Sequence, residues 1–128
     1  LPGVLVVGGP RFELEPEAAT RLCAAWADAG VLAAVDTPWP LVVLVDDVDE
    51  AAHRLRDLLW VTFTRSNPAH DVHGVGAQIV HKHWGCAGAL VIDARRKPHH
   101  APPLIEDDAA VRRVESLAVH GGPLHGLF

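Results

Sequence analysis

The chain has 128 residues, of which 49% are hydrophobic, and its formal net charge at pH 7 is −5. This length fits one domain that buries a core, and the apolar content excludes a disordered tail. The basic residues form no stripe interleaved with aromatics, so we expect neither nucleic acid nor an anionic membrane surface as a partner. Apolar runs are only strand-length and no signal-peptide pattern is visible, which favours a soluble cytoplasmic protein. The sequence contains no Met, which indicates a processed or trimmed chain.

The first half of the sequence predicts two strands and two helices. Val4 to Gly8 (VLVVG) and Leu41 to Val45 (LVVLV) are apolar on both faces, as expected for strands covered by helices on each side. Apolar residues at helical spacing predict a helix from Pro16 to Ala29. A second helix is predicted from Glu50 to Arg65, with Asp49 as its N-cap.

The second half predicts two weaker strands and a last helix. Val72 to Val80 contains two glycines and indicates at best a bent or edge strand, whereas Ala87 to Asp93 (AGALVID) has a stronger strand pattern. Asp107-Asp108 is placed to cap a helix from Ala109 to Val119. Four apolar residues of that helix are expected to face inward: Val111, Val114, Leu117 and Ala118. The fold prediction is one three-layer-like α/β domain over residues 1–128, with about four strands in a mixed or parallel sheet and three main helices.

Four acids follow the second strand closely: Asp46, Asp47, Asp49 and Glu50. Receiver domains of response regulators also place paired acids after a strand, and Asp93 lies where their phosphorylated Asp would be. Here, however, a strand and a helix precede the acids, and the short chain after Asp93 does not supply the further catalytic residues of a receiver. We therefore favour a structural role, in which Asp49 caps a helix while Asp46 and Asp47 accept hydrogen bonds from loop amides.

A histidine-rich segment spans seventeen residues and contains His70, His73, His81, His83 and Cys86. His-x-x-His and His-x-His spacings are ones that zinc or nickel uses, with His81, His83 and Cys86 as the candidate ligands, but no strong zinc frame is present. Two other interpretations stay open: a polar loop beside an edge strand, and imidazoles that line a ligand pocket. We predict no metal, and we take five residues as substrate-pocket candidates: His70, His73, His81, His83 and Trp84.

Two further patterns favour no catalytic site. Cys86 with His81 or His83 imitates a nucleophile and its base, but no third group orients them. Gly8-Gly9-Pro10 only loosely resembles a phosphate loop, because Pro10 has no amide donor and the next helix starts several residues later. A tight turn is the better interpretation.

One run of the sequence is VVLVDDVDEAAHRLRDLLWVTFTRSNPAHD. It contains, in this order, an apolar strand, an acid cluster, a helix with a Leu-Trp pair, and then Thr-Arg, Pro and Asp. This run resembles the C-terminal domain of the UbiD family of prenylated-flavin-dependent decarboxylases. ALVIDARRKP is similar to a family strand that ends in Asp-Ala-Thr and is followed by Lys, except that Arg95 stands where Thr is usual. The matching residues are Asp46, Asp47, Asp49, Leu59, Trp60, Thr64, Arg65, Pro68, Asp71, Asp93, Ala94 and Lys97.

The resemblance implies that the flavin pocket, with its catalytic Arg and paired Glu, lies in another domain that these 128 residues do not match. We therefore expect no catalytic residue and no cofactor on this chain alone, with prenylated FMN in a UbiD-like catalytic large subunit. The predicted role is a small accessory subunit of a decarboxylase or carboxylase, in a homo- or hetero-oligomer, which contributes assembly and part of the substrate-pocket wall. The Ala-rich first helix and the apolar tail are the expected interface. The alternative is a stand-alone ligand- or metal-binding protein that uses the segment from His70 to Cys86.

Overall fold

The computed structural model describes residues 1–102 and 107–127. Strands and helices alternate along the first half of the chain, and a β-hairpin interrupts the second half. The elements are β1 (Val4–Gly8), α1 (Ala18–Asp28), β2 (Leu41–Val45), α2 (Val48–Ala52), α3 (Leu55–Arg65), β3 (Val72–Gly74), β4 (Ala77–Val80), β5 (His83–Cys86), β6 (Leu90–Asp93) and α4 (Asp108–Ala118).

The main sheet has four strands in the order β1-β2-β6-β3. β1, β2 and β6 run parallel, with Val6 beside Val43 and Val43 beside Ile92, while β3 is antiparallel to β6. A second, two-stranded antiparallel sheet consists of β4 and β5. The predicted α/β class and the mixed four-stranded sheet are confirmed.

Helices cover the main sheet on both faces. Val42 and Val91 belong to a buried cluster that includes Cys23 of α1, whereas Val43 belongs to a cluster that includes Leu58 of α3. Neighbouring residues of a strand point to opposite faces, so an unbroken apolar strand such as β2 supplies both clusters. The result is three layers, with α1 on one side of the sheet and α2 and α3 on the other.

The predicted helix from Glu50 to Arg65 is wrong in its continuity and in its start. Arg54 has extended backbone angles (φ −141°, ψ 158°) and separates α2 from α3. Asp47, not Asp49, is the N-cap of α2, because its backbone is extended and its Oδ1 accepts hydrogen bonds from the amides of Asp49 (2.9 Å) and Glu50 (3.1 Å). The first helix also starts later than predicted, at Ala18.

The predicted strands of the second half are displaced. The segment from Val72 to Val80 divides between two sheets, as β3 and β4. The strand predicted from Ala87 begins at Leu90, and β5, which the sequence did not predict, precedes it. Val80 pairs with His83 across a two-residue turn, and this pairing makes a strand from residues that lack a strand pattern.

The last helix lies one residue earlier than predicted, at Asp108–Ala118, and does not bury its apolar face. Asp107 is its N-cap and accepts a hydrogen bond from the amide of Ala109 (2.9 Å). None of its residues is buried by the described part of the chain, and Val114 and Leu117 are exposed, so the expectation that they face inward is wrong. Among the described residues, no helix combines the length and apolarity that crossing a membrane requires.

Candidate functional site

The parallel strands β1, β2 and β6 end at the same edge of the main sheet. The loops that follow them carry Gly9-Pro10, Asp46-Asp47 and the basic run Arg95-Arg96-Lys97. Ligands of open α/β sheets bind outside the carboxyl ends of the strands. This edge is therefore the candidate functional site, and its floor is a cluster of buried charges.

Arg95 is the centre of that cluster, with no solvent exposure. Its Nε and Nη2 donate to the two carboxylate oxygens of Asp93 at 2.9 and 2.7 Å. Nη1 donates to the carbonyl oxygens of Pro10 (2.9 Å) and Glu15 (3.0 Å), and Nη2 also donates to that of Pro16 (3.2 Å). A guanidinium has five N–H groups, and all five are used. Arg95 thus fastens the end of β6 to the segment that leads into α1.

Lys97 completes the floor beside Arg95. Its Nζ donates to the carbonyl oxygens of Arg65 (3.0 Å), Asp93 (2.9 Å) and Arg95 (3.2 Å), and it lies 3.4 Å from Oδ2 of Asp71. The structure therefore brings together three residues that the resemblance singled out separately: Asp71, Asp93 and Lys97. Their shared role is to join the loop after α3 to the end of β6.

The cluster contains two carboxylates and two cations, so its charges balance. Burial alone would raise the pKa of Asp93, but hydrogen bonds from Arg95 and the charge of Lys97 together hold that pKa below its ordinary value. Removing one member of such a cluster lowers the stability of the fold, because a charge is left buried without its partner. Each charged group of this floor therefore has a partner of opposite charge.

A cleft of about 470 Å³ lies above the floor, between α3 and residues 96–102. In its wall, Arg65 donates to both oxygens of Glu50 at 2.6 and 3.2 Å. Arg96 approaches the same carboxylate less closely, at 3.3 and 3.4 Å. The hydrogen bonds from Arg65 are the main reason that the pKa of Glu50 lies below its ordinary value.

The other walls of this cleft carry aromatic rings. The side chain of Trp60 is largely exposed, with 66% of its surface accessible. His100 accepts a hydrogen bond at Nδ1 from the backbone amide of Lys97 (3.2 Å). Burial, followed by the positive charge of Lys97, lowers the pKa of His100, which favours the neutral form of its imidazole.

The acid cluster that follows β2 contributes mainly to local structure. Asp46 Oδ2 accepts a hydrogen bond from the backbone amide of Arg96 (2.7 Å), which ties the end of β2 to the loop after β6. Asp47 caps α2, as described above. A second cleft, of about 430 Å³, lies beside these acids and is lined also by Arg11 and Phe12.

The histidine-rich segment does not gather into one pocket. His73 and Trp84 line a groove of about 370 Å³ between α1 and the start of the hairpin. His70 lies exposed in the turn before β3, His81 in the hairpin turn, and His83 at the exposed start of β5. Of the five substrate-pocket candidates, His73 and Trp84 share a groove with each other and the remaining three lie outside it.

The weak metal candidates are separated by the hairpin. His83 and Cys86 are three residues apart on β5, so their side chains point to opposite faces, and His81 belongs to the turn. Within residues 1–102 and 107–127, no group of three or more His, Cys, Asp or Glu is arranged to hold a metal ion.

The turn after β1 does not fit the phosphate of a flavin nucleotide. The amide of Gly9 donates to the carbonyl of Val45 (2.9 Å), and Pro10 has no amide hydrogen. A phosphate cradle needs several amides that point toward the ligand, and neither Gly9 nor Pro10 can supply one.

The sequence did not predict the residues that shape the cleft between α3 and residues 96–102, namely Glu50 as a partner of Arg65, and Arg96 and His100 as wall residues. The available signal was the basic run directly after a strand that ends at the carboxyl edge. In the sequence, Arg95 differs from the family pattern, which has Thr at this place, and the structure shows that it anchors the floor.

Comparisons with known proteins give similarity over part of the chain. No family model matches it. Over 82 residues it is 34% identical to a Chlamydia pneumoniae protein named as a subunit of 4-hydroxybenzoate decarboxylase, and over 82 residues it is 35% identical to an uncharacterized protein of Chlamydia trachomatis serovar D. Each alignment covers 64% of this chain but only 14% of the relative. A solved structure of vanillic acid decarboxylase from Sedimentibacter hydroxybenzoicus aligns with 89% of this chain and 25% of that chain, at 19% identity and a TM-score of 0.45.

Proposed function

We propose that this chain is a small, non-catalytic accessory subunit of a UbiD-like decarboxylase or carboxylase that acts on aromatic or unsaturated acids. Its partner is a catalytic large subunit that holds prenylated FMN. The observation that carries the proposal is the 34% identity over 82 residues to a protein named as a decarboxylase subunit. The paired charges at the carboxyl edge support the non-catalytic role, because Asp71, Asp93, Arg95 and Lys97 are occupied with one another.

The proposed assembly surface is the α3 stripe, which we define as Leu55, Leu59 and Phe63. These residues recur every four positions, so they form one line along the helix, and all three are exposed. The opposite side of α3 already packs against the sheet through Leu58 and Val61. Contiguous exposed apolar residues of this kind mark interaction surfaces.

This surface replaces the Ala-rich helix as our proposed interface. Ala18 and Ala19 of α1 are buried within the chain itself, and of the alanines of α1 only Ala24 and Ala25 are exposed. The apolar tail stays part of the proposal, since Leu127 is exposed. We further propose that the hairpin, with His73 and Trp84 beside it, forms part of the substrate-pocket wall in the complex.

Co-expression with a UbiD-like catalytic chain tests this assembly. An affinity tag on the catalytic chain is expected to retain this chain, and Phe63→Glu is expected to abolish retention by placing a charge in the interface. Val35→Glu is the matched control, because Val35 is equally apolar and 89% exposed but lies in the loop before β2. Equal retention of both variants, or no retention of the unmodified chain, contradicts the proposal.

One observation favours the alternative of a stand-alone ligand-binding protein. The groove beside His73 and Trp84 also contains Cys23, so apolar, aromatic and imidazole groups meet there. In that case the purified chain retains a ligand or metal without any partner. His73→Ala would then weaken binding in the isolated chain, whereas His81→Ala and His83→Ala, which change residues outside the groove, would not. The accessory role predicts no effect of His73→Ala.

A further inference from the structure

The cleft between α3 and residues 96–102 has more positive than negative charge. Arg65 and Arg96 both face the single carboxylate of Glu50. The third cation of the lining, Lys97, is already balanced by the buried carboxylates beneath it. The described residues of this cleft, which we call the arginine cleft, therefore present two guanidinium groups to one carboxylate.

Arg65 and Arg96 differ in how closely they bind the carboxylate of Glu50. Arg65 is mostly buried and donates two hydrogen bonds to the carboxylate of Glu50, a short one of 2.6 Å and a second of 3.2 Å. The side chain of Arg96 is 49% exposed, and Nη2 reaches the same oxygens only at 3.3 and 3.4 Å. Charge-assisted hydrogen bonds are usually about 2.7–2.9 Å long, so Arg96 is only weakly bound. A second carboxylate in the cleft would give it a full partner.

The remaining walls favour a flat, aromatic ligand. The exposed ring of Trp60 lines the cleft and offers a surface for stacking. The volume of about 470 Å³ lies within the range of small-molecule sites. The lowered pKa of His100 has burial as its largest cause and the positive charges of Lys97 and Arg65 among the others, which agrees with an electropositive cleft.

We propose that the arginine cleft binds an aromatic carboxylate, with the carboxylate on Arg96 and the ring against Trp60. The choice of an aromatic acid rests on the proposed function, since such acids are the substrate class of the enzyme proposed there. The cleft would act as a second binding site for substrate or product, outside the flavin pocket of the partner.

Titration calorimetry of the isolated chain with benzoate tests the proposal. We expect saturable binding of benzoate, weaker binding of cyclohexanecarboxylate, which lacks the flat ring, and no binding of benzamide, which lacks the charge. Arg96→Gln should weaken benzoate binding about tenfold, the effect of losing a hydrogen bond to a charged group. Arg112→Gln, a change of the same kind on α4, should leave it unchanged.

Glu50→Gln provides the sharper test, because it removes the internal carboxylate while keeping the side-chain shape. With both arginines available to the ligand, benzoate should bind several-fold more tightly, as expected when a competing charge is removed. Circular dichroism of each variant verifies the fold. Absence of benzoate binding, equal binding of benzamide, or weaker binding to a folded Glu50→Gln variant would overturn the inference. Tight binding of inorganic phosphate with no preference for benzoate would also overturn it, by showing a general anion site.

This experiment is independent of the proposed assembly, because it uses the isolated chain. If benzoate does not bind but the chain still associates with a UbiD-like partner, only the cleft assignment fails. If benzoate binds and no partner associates, only the accessory role fails.

Discussion

Arg95→Met removes the guanidinium at the centre of the buried charge cluster and leaves its partners in place. Among the described residues, the carboxylate of Asp93 then keeps Lys97 as its one nearby cation. The carbonyls of Pro10, Glu15 and Pro16 lose the donors that now lie within 2.9 to 3.2 Å. Breaking a buried ion pair by removing one partner costs roughly 3–5 kcal/mol. Because the free energy of unfolding of a small domain is about 5–15 kcal/mol, this one change should remove a large part of it.

Urea unfolding followed by far-ultraviolet circular dichroism measures the loss. The neighbouring Arg96→Met variant is the control, because Arg96 is half exposed and exposed ion pairs contribute at most about 1 kcal/mol. A double variant, Asp93→Asn with Arg95→Met, should lose less than the sum of the two single losses, because the pair is coupled. The reasoning is refuted if Arg95→Met and Arg96→Met have the same stability.

Local features give three further predictions. Lys82 has φ +68° in the hairpin turn, where an L-residue is strained, so Lys82→Gly should raise the free energy of unfolding by about 1 kcal/mol. Burial, with a smaller electrostatic contribution from Cys86, raises the pKa of the Cys23 thiol to about 11, so iodoacetamide should label Cys86 before Cys23 in the native protein. Asp93 has a folded pKa below its ordinary 3.8, so its stabilising contribution is present above pH 3.8 and is lost as the pH falls through the folded pKa.

Each of these predictions has a simple control. Lys82→Ala keeps a Cβ atom and should give no stabilisation, so an equal gain from both substitutions rules out turn strain as the cause. Mass spectrometry after unfolding should find Cys23 and Cys86 equally labelled, whereas fast native labelling of Cys23 contradicts its burial. Urea unfolding of Asp93→Asn at several acidic pH values should show a smaller loss of stability at low pH than the unmodified chain shows. If the loss is the same in both, groups other than Asp93 cause the acid sensitivity.

The strands of the main sheet were predictable where burial on both faces determines the pattern. β1 and β2 have the predicted bounds, because uninterrupted apolar residues bounded by Gly, Pro or Asp leave few other structures. The break at Arg54 was not predictable, because the apolar spacing continues unchanged across it from Ala51 to Leu58. β5 was missed for a related reason: it is a strand because the hairpin turn pairs it with β4, not because of its own residues.

The candidate site was less predictable than the fold. The sequence identified the acids after β2 but predicted Asp49 as the N-cap, whereas Asp47 is the N-cap in the structure. A shift of two residues in the start of a helix does not show in the apolar periodicity. The partners of Arg95 lie up to 85 residues away in the chain and are backbone carbonyls, which carry no signature in the side-chain sequence. The arginine cleft likewise depends on the meeting of α3 with the loop after β6, which only the tertiary structure supplies.

Native mass spectrometry of this chain co-expressed with a UbiD-like catalytic chain tests the central proposal most directly. The accessory role predicts a mixed complex that contains the 13.7 kDa chain and whose flavin remains with the large subunit when the complex is dissociated. It also predicts that the isolated chain carries no flavin and does not decarboxylate aromatic acids when supplied with prenylated FMN. A chain that stays separate from the catalytic partner, or that turns over an aromatic acid alone, would contradict the account.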